Sequence, residues 1–199
     1  TSSELAAEAV RALFAQGLSP ADIGVLACGT SYPDQIMPGQ GVMVHGLLPE
    51  IPPCEVLTTA GVCVAGMAAM KYAYNAVRTG EHAQAVAVAS ETASAVMRGE
   101  NFRSEIRHKQ LSEAKPEIGF EKDFLRWMLS DGAGAAVVEF QPRPDRPSLR
   151  VDWVRQVSLA HEHEGCMRAG LDGDAIEAGR TWQDFDGVAA AERAGLLQI

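Results

Sequence analysis

Positive charge is scarce in this chain: 17 Lys and Arg stand against 26 Asp and Glu, giving a net charge of −9. That balance argues against nucleic acid or an anionic membrane as the main partner. It leaves room for a small basic groove that takes a phosphate-bearing cofactor. Long apolar runs are also missing. No stretch is long enough to span a bilayer, and Thr1-Ser2-Ser3-Glu4 has none of the marks of a signal peptide. The cysteines, Cys28, Cys54, Cys63 and Cys166, lack metal-ligand spacing, and their scatter suggests a reducing, cytoplasmic setting. There is no internal repeat, no low-complexity run, no phosphate-loop glycine pattern and no serine nucleophile elbow. Aromatics are only 6%, and the 7 Met outnumber each aromatic type, which suits adaptable apolar walls. What remains is ordinary globular composition: 199 residues, 47% apolar and 22% charged, enough for one domain with a substantial core.

The stretch from Thr58 to Met67 carries the clearest chemistry. Before it, Glu55-Val56-Leu57-Thr58-Thr59 is short and apolar with β-branched residues, as in a buried strand. After it, Val64 to Arg78 is rich in Ala and Met, has no Pro and exits at Gly80, as a helix does. Cys63 then falls at the first turn of a helix that follows a strand. Unpaired backbone N–H groups and the helix dipole favour an anion there, so a thiol should lose its proton more easily. Gly61 and Gly66 leave room for a substrate or a second backbone. The same residues also read as a structural cysteine buried in an apolar turn.

Around this centre the chain alternates. Ser2 to Gln16 is an amphipathic helix with Leu5, Ala9, Val10, Leu13 and Phe14 on one face, capped by Ser2 or Ser3 and ended by Gly17. Residues 19–22 turn into a strand over 23–28, residues 29–41 form a loop, and 42–48 form a short helix closed by Pro49. The helix after Cys63 is apolar nearly all round, which predicts burial with its Met residues in the core. Residues 85–89 form the next buried strand. A strand over 134–140, a Pro-rich hairpin turn, a strand over 149–159, a loop-rich stretch over 165–186 and a helix over 187–197 complete the chain. His161 and His163 would share one face of a strand, but no third metal ligand is evident nearby, so no metal is expected.

Gly61-Val62-Cys63-Val64-Ala65-Gly66-Met67-Ala68-Ala69-Met70 resembles the nucleophile turn of the thiolase superfamily, above all β-ketoacyl-ACP synthase III. The Cys-x-Ala-Gly spacing is also similar to type III polyketide synthases. Ala85 to Thr92 resembles the family strand ending in a Glu-Thr pair. Leu129 to Val138 resembles its Gly-Asp-Gly-Ala-Gly-Ala strand, with Ser130 in place of the first Gly. Residues 18–23 resemble the family's helix-to-strand joint. Tyr32-Pro33-Asp34-Gln35-Ile36-Met37-Pro38-Gly39 resembles its dimer-interface loop, in which the residue before Pro enters the neighbouring subunit's acyl pocket. A surface loop with one buried Met is the other reading of that segment.

The resemblance implies an α/β fold: residues 1–199 form the N-terminal half of a thiolase-like enzyme, a mixed sheet covered by helices on both faces. The family's first strand and C-terminal half are not evident. Residues 94–127 form an insertion, either a solvated excursion or a lid and carrier-docking segment. It implies a Cys63 acyl-enzyme, with a backbone N–H holding the oxyanion, followed by decarboxylative condensation with a malonyl-type thioester. Met37, Gly132 and Gly134 would bind substrate. Partners would be acyl-CoA or acyl carrier protein and a second copy of the chain, with residues 85–89 and the loop around Met37 at the interface. No cofactor is implied. The family also needs a His and an Asn, or two His, opposite the Cys. Nothing beyond Phe140 supplies them, and the only Asn residues are Asn75 and Asn101. A fragment, a two-chain enzyme or an incomplete catalyst each fits; the missing first strand favours the fragment. Readings kept beside this one are a non-catalytic partner subunit and a type III polyketide synthase or thiolase.

Overall fold

In the computed structural model, the residues described are 1–98, 127–163 and two short strands, Arg168–Ala169 and Leu197–Gln198. They divide into two compact units, one of residues 1–92 and 131–157, the other of residues 93–130 and 158–199.

The first unit holds α1 (Ser2–Ala15), β1 (Val25–Thr30), α2 (Gln40–Gly46), β2 (Glu55–Ala60), α3 (Ala65–Arg78), β3 (Gln84–Glu91) and β4 (Gly132–Glu139). Its sheet has the order β2-β1-β3-β4. Strand β1 runs parallel to β2 and β3, while β4 is antiparallel to β3. The chain moves one way from β1 to β2 and returns past β1 to reach β3. Crossovers of one hand that reverse direction must put their helices on opposite faces. Accordingly α2, with α1, packs on one face and α3 on the other.

Side-chain parity explains which helix takes which face. Val25 and Ala27 of β1 and Ala85 and Ala87 of β3 meet Ala69, Ala73, Ala76 and Val77 of α3. Leu26, Cys28, Val86 and Val88 meet Ala6, Ala7 and Val10 of α1 and Val44 and Leu48 of α2. Alternation along a strand sends successive residues to opposite faces. The small-residue face therefore receives the alanine-rich helix, and the larger face the helices that bring Val and Leu.

Several expectations change here. Helix α1 is capped by Thr1, whose side chain forms a capping box with Glu4. Ser2 and Ser3 are buried instead: the Ser2 hydroxyl meets Ser90 at 2.8 Å and Ser3 donates to Asp34. The face that α1 buries holds Ala6, Ala7 and Val10, with Ala9, Leu13 and Phe14 beside it, because its small residues sit nearest the sheet. Strand β1 runs to Thr30, so Gly29 belongs to it and not to the loop. Among the described residues, helix α3 is covered mainly on the side that faces the sheet. Its alanines face the sheet, whereas Met67 is exposed and Met70, Tyr72 and Tyr74 are half-buried. The core assignment of Met67 is therefore wrong.

Strand β3 lies inside the sheet, paired on both edges and buried from Gln84 to Val88. No edge is left there for a second subunit, so residues 85–89 are not interface. Residues 149–157 form no strand. They lie beside α3, where the Tyr74 hydroxyl donates to the Asp152 carbonyl at 3.4 Å and the Gln156 amide to that of Val64 at 3.3 Å.

In the second unit, the short helix α4 (Ala93–Val96) is described, and β5 (Arg168–Ala169) pairs antiparallel with β6 (Leu197–Gln198). Leu197 is thus extended and not helical. Residues 159–163 form a turn, in which exposed His161 pairs with Glu162 at 3.0 Å. The two His do not share a strand face there. Most of the 94–127 insertion and of the 165–196 stretch, with Cys166, lies outside the described residues. Among the described residues, no helix is long and apolar enough to cross a membrane.

Candidate active site

Strands β1 and β3 are parallel neighbours whose onward connections leave in opposite directions. In an open α/β sheet, that switch point opens a crevice beyond the carboxyl ends of the strands. A pocket of about 290 Å³ lies there. Gly29 and Thr30 line it from β1, Ser31 from the loop just after it, and Ala89, Ser90 and Glu91 from β3. Val62, Cys63, Ala65 and Gly66 come from the turn into α3, and Gly132, Ala133 and Gly134 from the start of β4. Three sequence-predicted site residues, Cys63, Gly132 and Gly134, thus meet at one pocket.

Cys63 is exposed and sits just ahead of Val64, the N-cap of α3. It precedes the helix instead of lying in its first turn. The Val64 side chain makes no capping bond, so the first N–H groups of α3 are not closed off by their own N-cap side chain. The other described thiols differ. Burial pushes the Cys28 thiol up to about 12, and also raises that of the half-buried Cys54.

Glycine fixes the height of this turn above the sheet. A Cβ at Gly29 would stand 2.5 Å from the Ala65 carbonyl oxygen and 2.8 Å from the Gly66 nitrogen. One at Gly66 would stand 2.9 Å from the Ala89 Cβ. Gly61, where β2 enters the turn, has φ +141°, a backbone that side chains rarely adopt. Thr59 locks the same turn by donating to the Ala65 carbonyl at 2.8 Å. Gly132 and Gly134 pair with Glu91 and Ala89, and a Cβ at either would meet only open space. They keep the rim of the pocket free.

Glu91 is the site residue whose role the sequence did not disclose. Its carboxylate accepts from the Thr30 hydroxyl at 3.0 Å and from the backbone N–H groups of Ser31 and Tyr32 at 2.8 and 2.9 Å. The Ser31 hydroxyl in turn donates to the Gly61 carbonyl at 3.3 Å. The Glu91 carboxylate therefore ties the end of β3 to the loop leaving β1, and the Ser31 hydroxyl ties that loop to the turn before Cys63. A Glu-Thr pair at a strand end gave no hint of this, since its donors lie far back in the chain.

Residues 31–39 are held at their far side too. Asp34 accepts from the Ser2 N–H at 2.9 Å and from the Ser3 N–H and hydroxyl at 2.7 and 2.6 Å. Burial works to raise the Asp34 carboxyl, yet the Ser3 and Ser2 donors outweigh it and hold it below the usual range. Gly41 N–H donates to Thr58 Oγ1 at 2.9 Å. On this anchored loop Met37 is 82% exposed and Ile36 65% exposed. Met37 does not line the pocket of its own chain, and it is no buried loop Met.

Replacing Glu91 by Ala removes one acceptor from three donors, a loss of about 1–3 kcal/mol. We expect faster amide exchange at Ser31 and Tyr32, measured by hydrogen–deuterium exchange, with Glu91→Gln intermediate because its one amide oxygen still accepts. Unchanged exchange in Glu91→Ala would mean that the loop is held by Asp34 alone.

No family model matches the chain. Among curated proteins, the β-ketoacyl-[acyl-carrier-protein] synthase III of Rhizorhabdus wittichii is 29% identical over 150 residues, which cover 75% of this chain and 40% of that protein. The protein of the same name from Sphingopyxis alaskensis is 38% identical over 98 residues, 49% of this chain and 30% of its own. This chain thus matches less than half the length of either relative. Among solved structures, cerulenin-bound Xanthomonas campestris OleA aligns with TM-score 0.57 at 25% identity, covering 69% of this chain and 40% of that one. AbyA1, a tetronic acid condensing enzyme, aligns with TM-score 0.62 at 21% identity over 87% of this chain and 45% of its own; that likeness shows the fold. The chain is thus similar to part of two β-ketoacyl-[acyl-carrier-protein] synthases III, and its α/β fold is thiolase-like.

Proposed function

We propose that Cys63 is an acyl-accepting nucleophile and that this chain supplies the acyl-transfer half of a condensing enzyme. The observation that carries the reading is the meeting of Cys63, Gly132 and Gly134 at the switch-point pocket. The thiolate attacks the carbonyl carbon of an acyl thioester, the C–S bond to the carrier breaks, and the carrier leaves as a thiolate that takes up a proton equivalent to the one Cys63 released. Backbone N–H groups at the start of α3 face developing negative charge on the carbonyl oxygen. The glycine rim admits the carrier arm. The donor is acyl-CoA or an acyl carrier protein, and the second substrate a malonyl-type thioester that condenses with loss of carbon dioxide. No cofactor is needed for either step. Acyl transfer to Cys63 is the step this reading assigns to these residues.

The loop over residues 31–39 carries the reading of chain length. Its two anchors present Ile36 and Met37 outward as an apolar pair. A second copy of the chain would cover them and receive Met37 in its acyl pocket. Met is unbranched and has more rotatable bonds than Phe, so it yields where a ring would close the pocket. We therefore expect a starter longer or bulkier than acetyl, each added methylene contributing about 1 kcal/mol until the pocket is full. The test is acyl transfer to Cys63, read by intact mass and peptide mapping across a chain-length series. Transfer should rise with length, and Met37→Phe should shift it toward acetyl. A wild-type preference for acetyl, or an unchanged profile in Met37→Phe, would remove Met37 from the acyl pocket. A monomer in sedimentation at micromolar concentration would remove the second copy.

A further inference from the structure

We propose that Glu55, Glu81 and His82 form a binding site for a divalent transition ion, zinc by the character of its donors, at the end of the sheet opposite Cys63. Glu55 opens β2, and Glu81 and His82 lie in the turn between α3 and β3. These are the amino ends of the strands, whereas the Cys63 pocket lies at their carboxyl ends. One donor atom from each of the three residues lies within 4.8 Å of the others. Glu55 Oε2 and His82 Nε2 are already 3.0 Å apart. Two ligand atoms held about 2.0–2.1 Å from a tetrahedral zinc are roughly 3.3 Å apart, so this pair needs little movement to share an ion. Imidazole nitrogen with carboxylate oxygen is a donor set that zinc accepts.

The backbone is arranged to let these groups meet. Strand β1 stands between β2 and β3, so a His entering β3 must cross the start of β1 to reach Glu55. The residue at that crossing is Gly24. A Cβ there would sit 2.4 Å from the His82 Nδ1 and 2.9 Å from its Cγ, so only glycine lets the ring lie flat against the chain. Glu55 is held from its other side by the Tyr72 hydroxyl, which donates to its carboxylate. Supporting hydrogen bonds of this kind orient metal ligands. The cleft around the pair is open, and Asp22 and Cys54 line it as well. An ion would tie the start of β2 to the turn before β3 across β1. Glu55 lies far from Glu81 and His82 in sequence, which is why cysteine and histidine spacing gave no sign of the group.

Glu55 and His82 alone make an ion pair, so Glu81 is the discriminating residue. Purified protein stripped with chelator is titrated with zinc sulfate by calorimetry, and its melting temperature is followed with and without zinc. The expected result is one equivalent bound at micromolar affinity or tighter, with a higher melting temperature. Glu81→Gln, which leaves the ion pair intact, should weaken binding at least about ten-fold, since loss of even a supporting partner of a metal ligand does so. His82→Ala should abolish it. The His161→Ala and His163→Ala double variant and Cys63→Ser should each still bind one equivalent. No binding by wild type, Glu81→Gln binding as wild type does, or loss of binding in the double variant or in Cys63→Ser would each overturn the proposal.

Discussion

Limiting iodoacetamide will modify Cys63 at least about 100-fold faster than Cys28 and ahead of Cys54, and the Cys63→Ser variant will take up no acyl group from any thioester. The order follows from exposure and ionisation. Cys28 is 1% exposed, and its thiol is pushed to about 12 by burial. At pH 8 such a thiol carries only about one thiolate in ten thousand, and the thiolate is the nucleophile. Cys54 is half-buried and raised in the same direction. Cys63 is exposed at a pocket mouth, beside helix N–H groups that its N-cap side chain leaves open. Serine in its place keeps the shape of the turn, so the fold should survive while the acyl-enzyme disappears. Peptide mapping after brief labelling decides the matter. First labelling of Cys28, Cys54 or Cys166 would count against Cys63 as the nucleophile, and so would an acylated Cys63→Ser protein.

Gly29→Val will cost the site more than any other glycine substitution in the first unit, lowering stability by about 1–3 kcal/mol and acyl transfer by about 100-fold. The branched side chain would press on the carbonyl of Ala65 and the nitrogen of Gly66, both backbone atoms. Neither can swing aside as a side-chain tip can, so the start of α3 must lift, and Cys63 moves with it. A displacement of about 1 Å at a reacting centre is enough for a loss of that size. Gly46→Ala is the control: a Cβ there meets nothing within 4 Å. Alanine also suits a helix better than glycine, so that variant should be unchanged or more stable by up to about 1 kcal/mol. Chemical denaturation and the rate of Cys63 acylation measure both. A Gly29→Val protein with wild-type stability and rate would show that the turn is positioned by Thr59 and Gly61 instead.

The Glu55, Glu81 and His82 group adds a second region where sequence distance hid spatial proximity. Its position also bears on the first unit as a structure, because it joins the amino ends of β2 and β3 while Glu91 joins loops at their carboxyl ends. The two ties act on opposite ends of the same parallel strands. Variants at one should leave the other intact, since effects of sites without shared partners add.

Local composition determined the elements by itself. The β-branched and apolar run from Glu55, the Pro-free alanine-rich helix after Cys63 and the glycines at 17 and 80 with positive φ fix β2, α3 and the helix exits without reference to distant residues. Alternation of small and large residues in β1 and β3 also determined which faces could take which helix. The motifs around Cys63, Gly132 and Gly134, read by their resemblance to a family, picked out three residues that line one pocket. Only the tertiary structure decided what depends on pairing. Strand order put β3 inside the sheet and removed it as an interface. The crossing of α3 over Gly29 made that residue a spacer, a role a glycine after a strand does not reveal. Coverage of α3 was misjudged because an all-apolar helix reports its composition, and not how many of its faces meet a partner. Glu91 and Glu55 act on groups many residues away, and a carboxylate shows nothing of its donors until the chain has brought them within hydrogen-bonding distance.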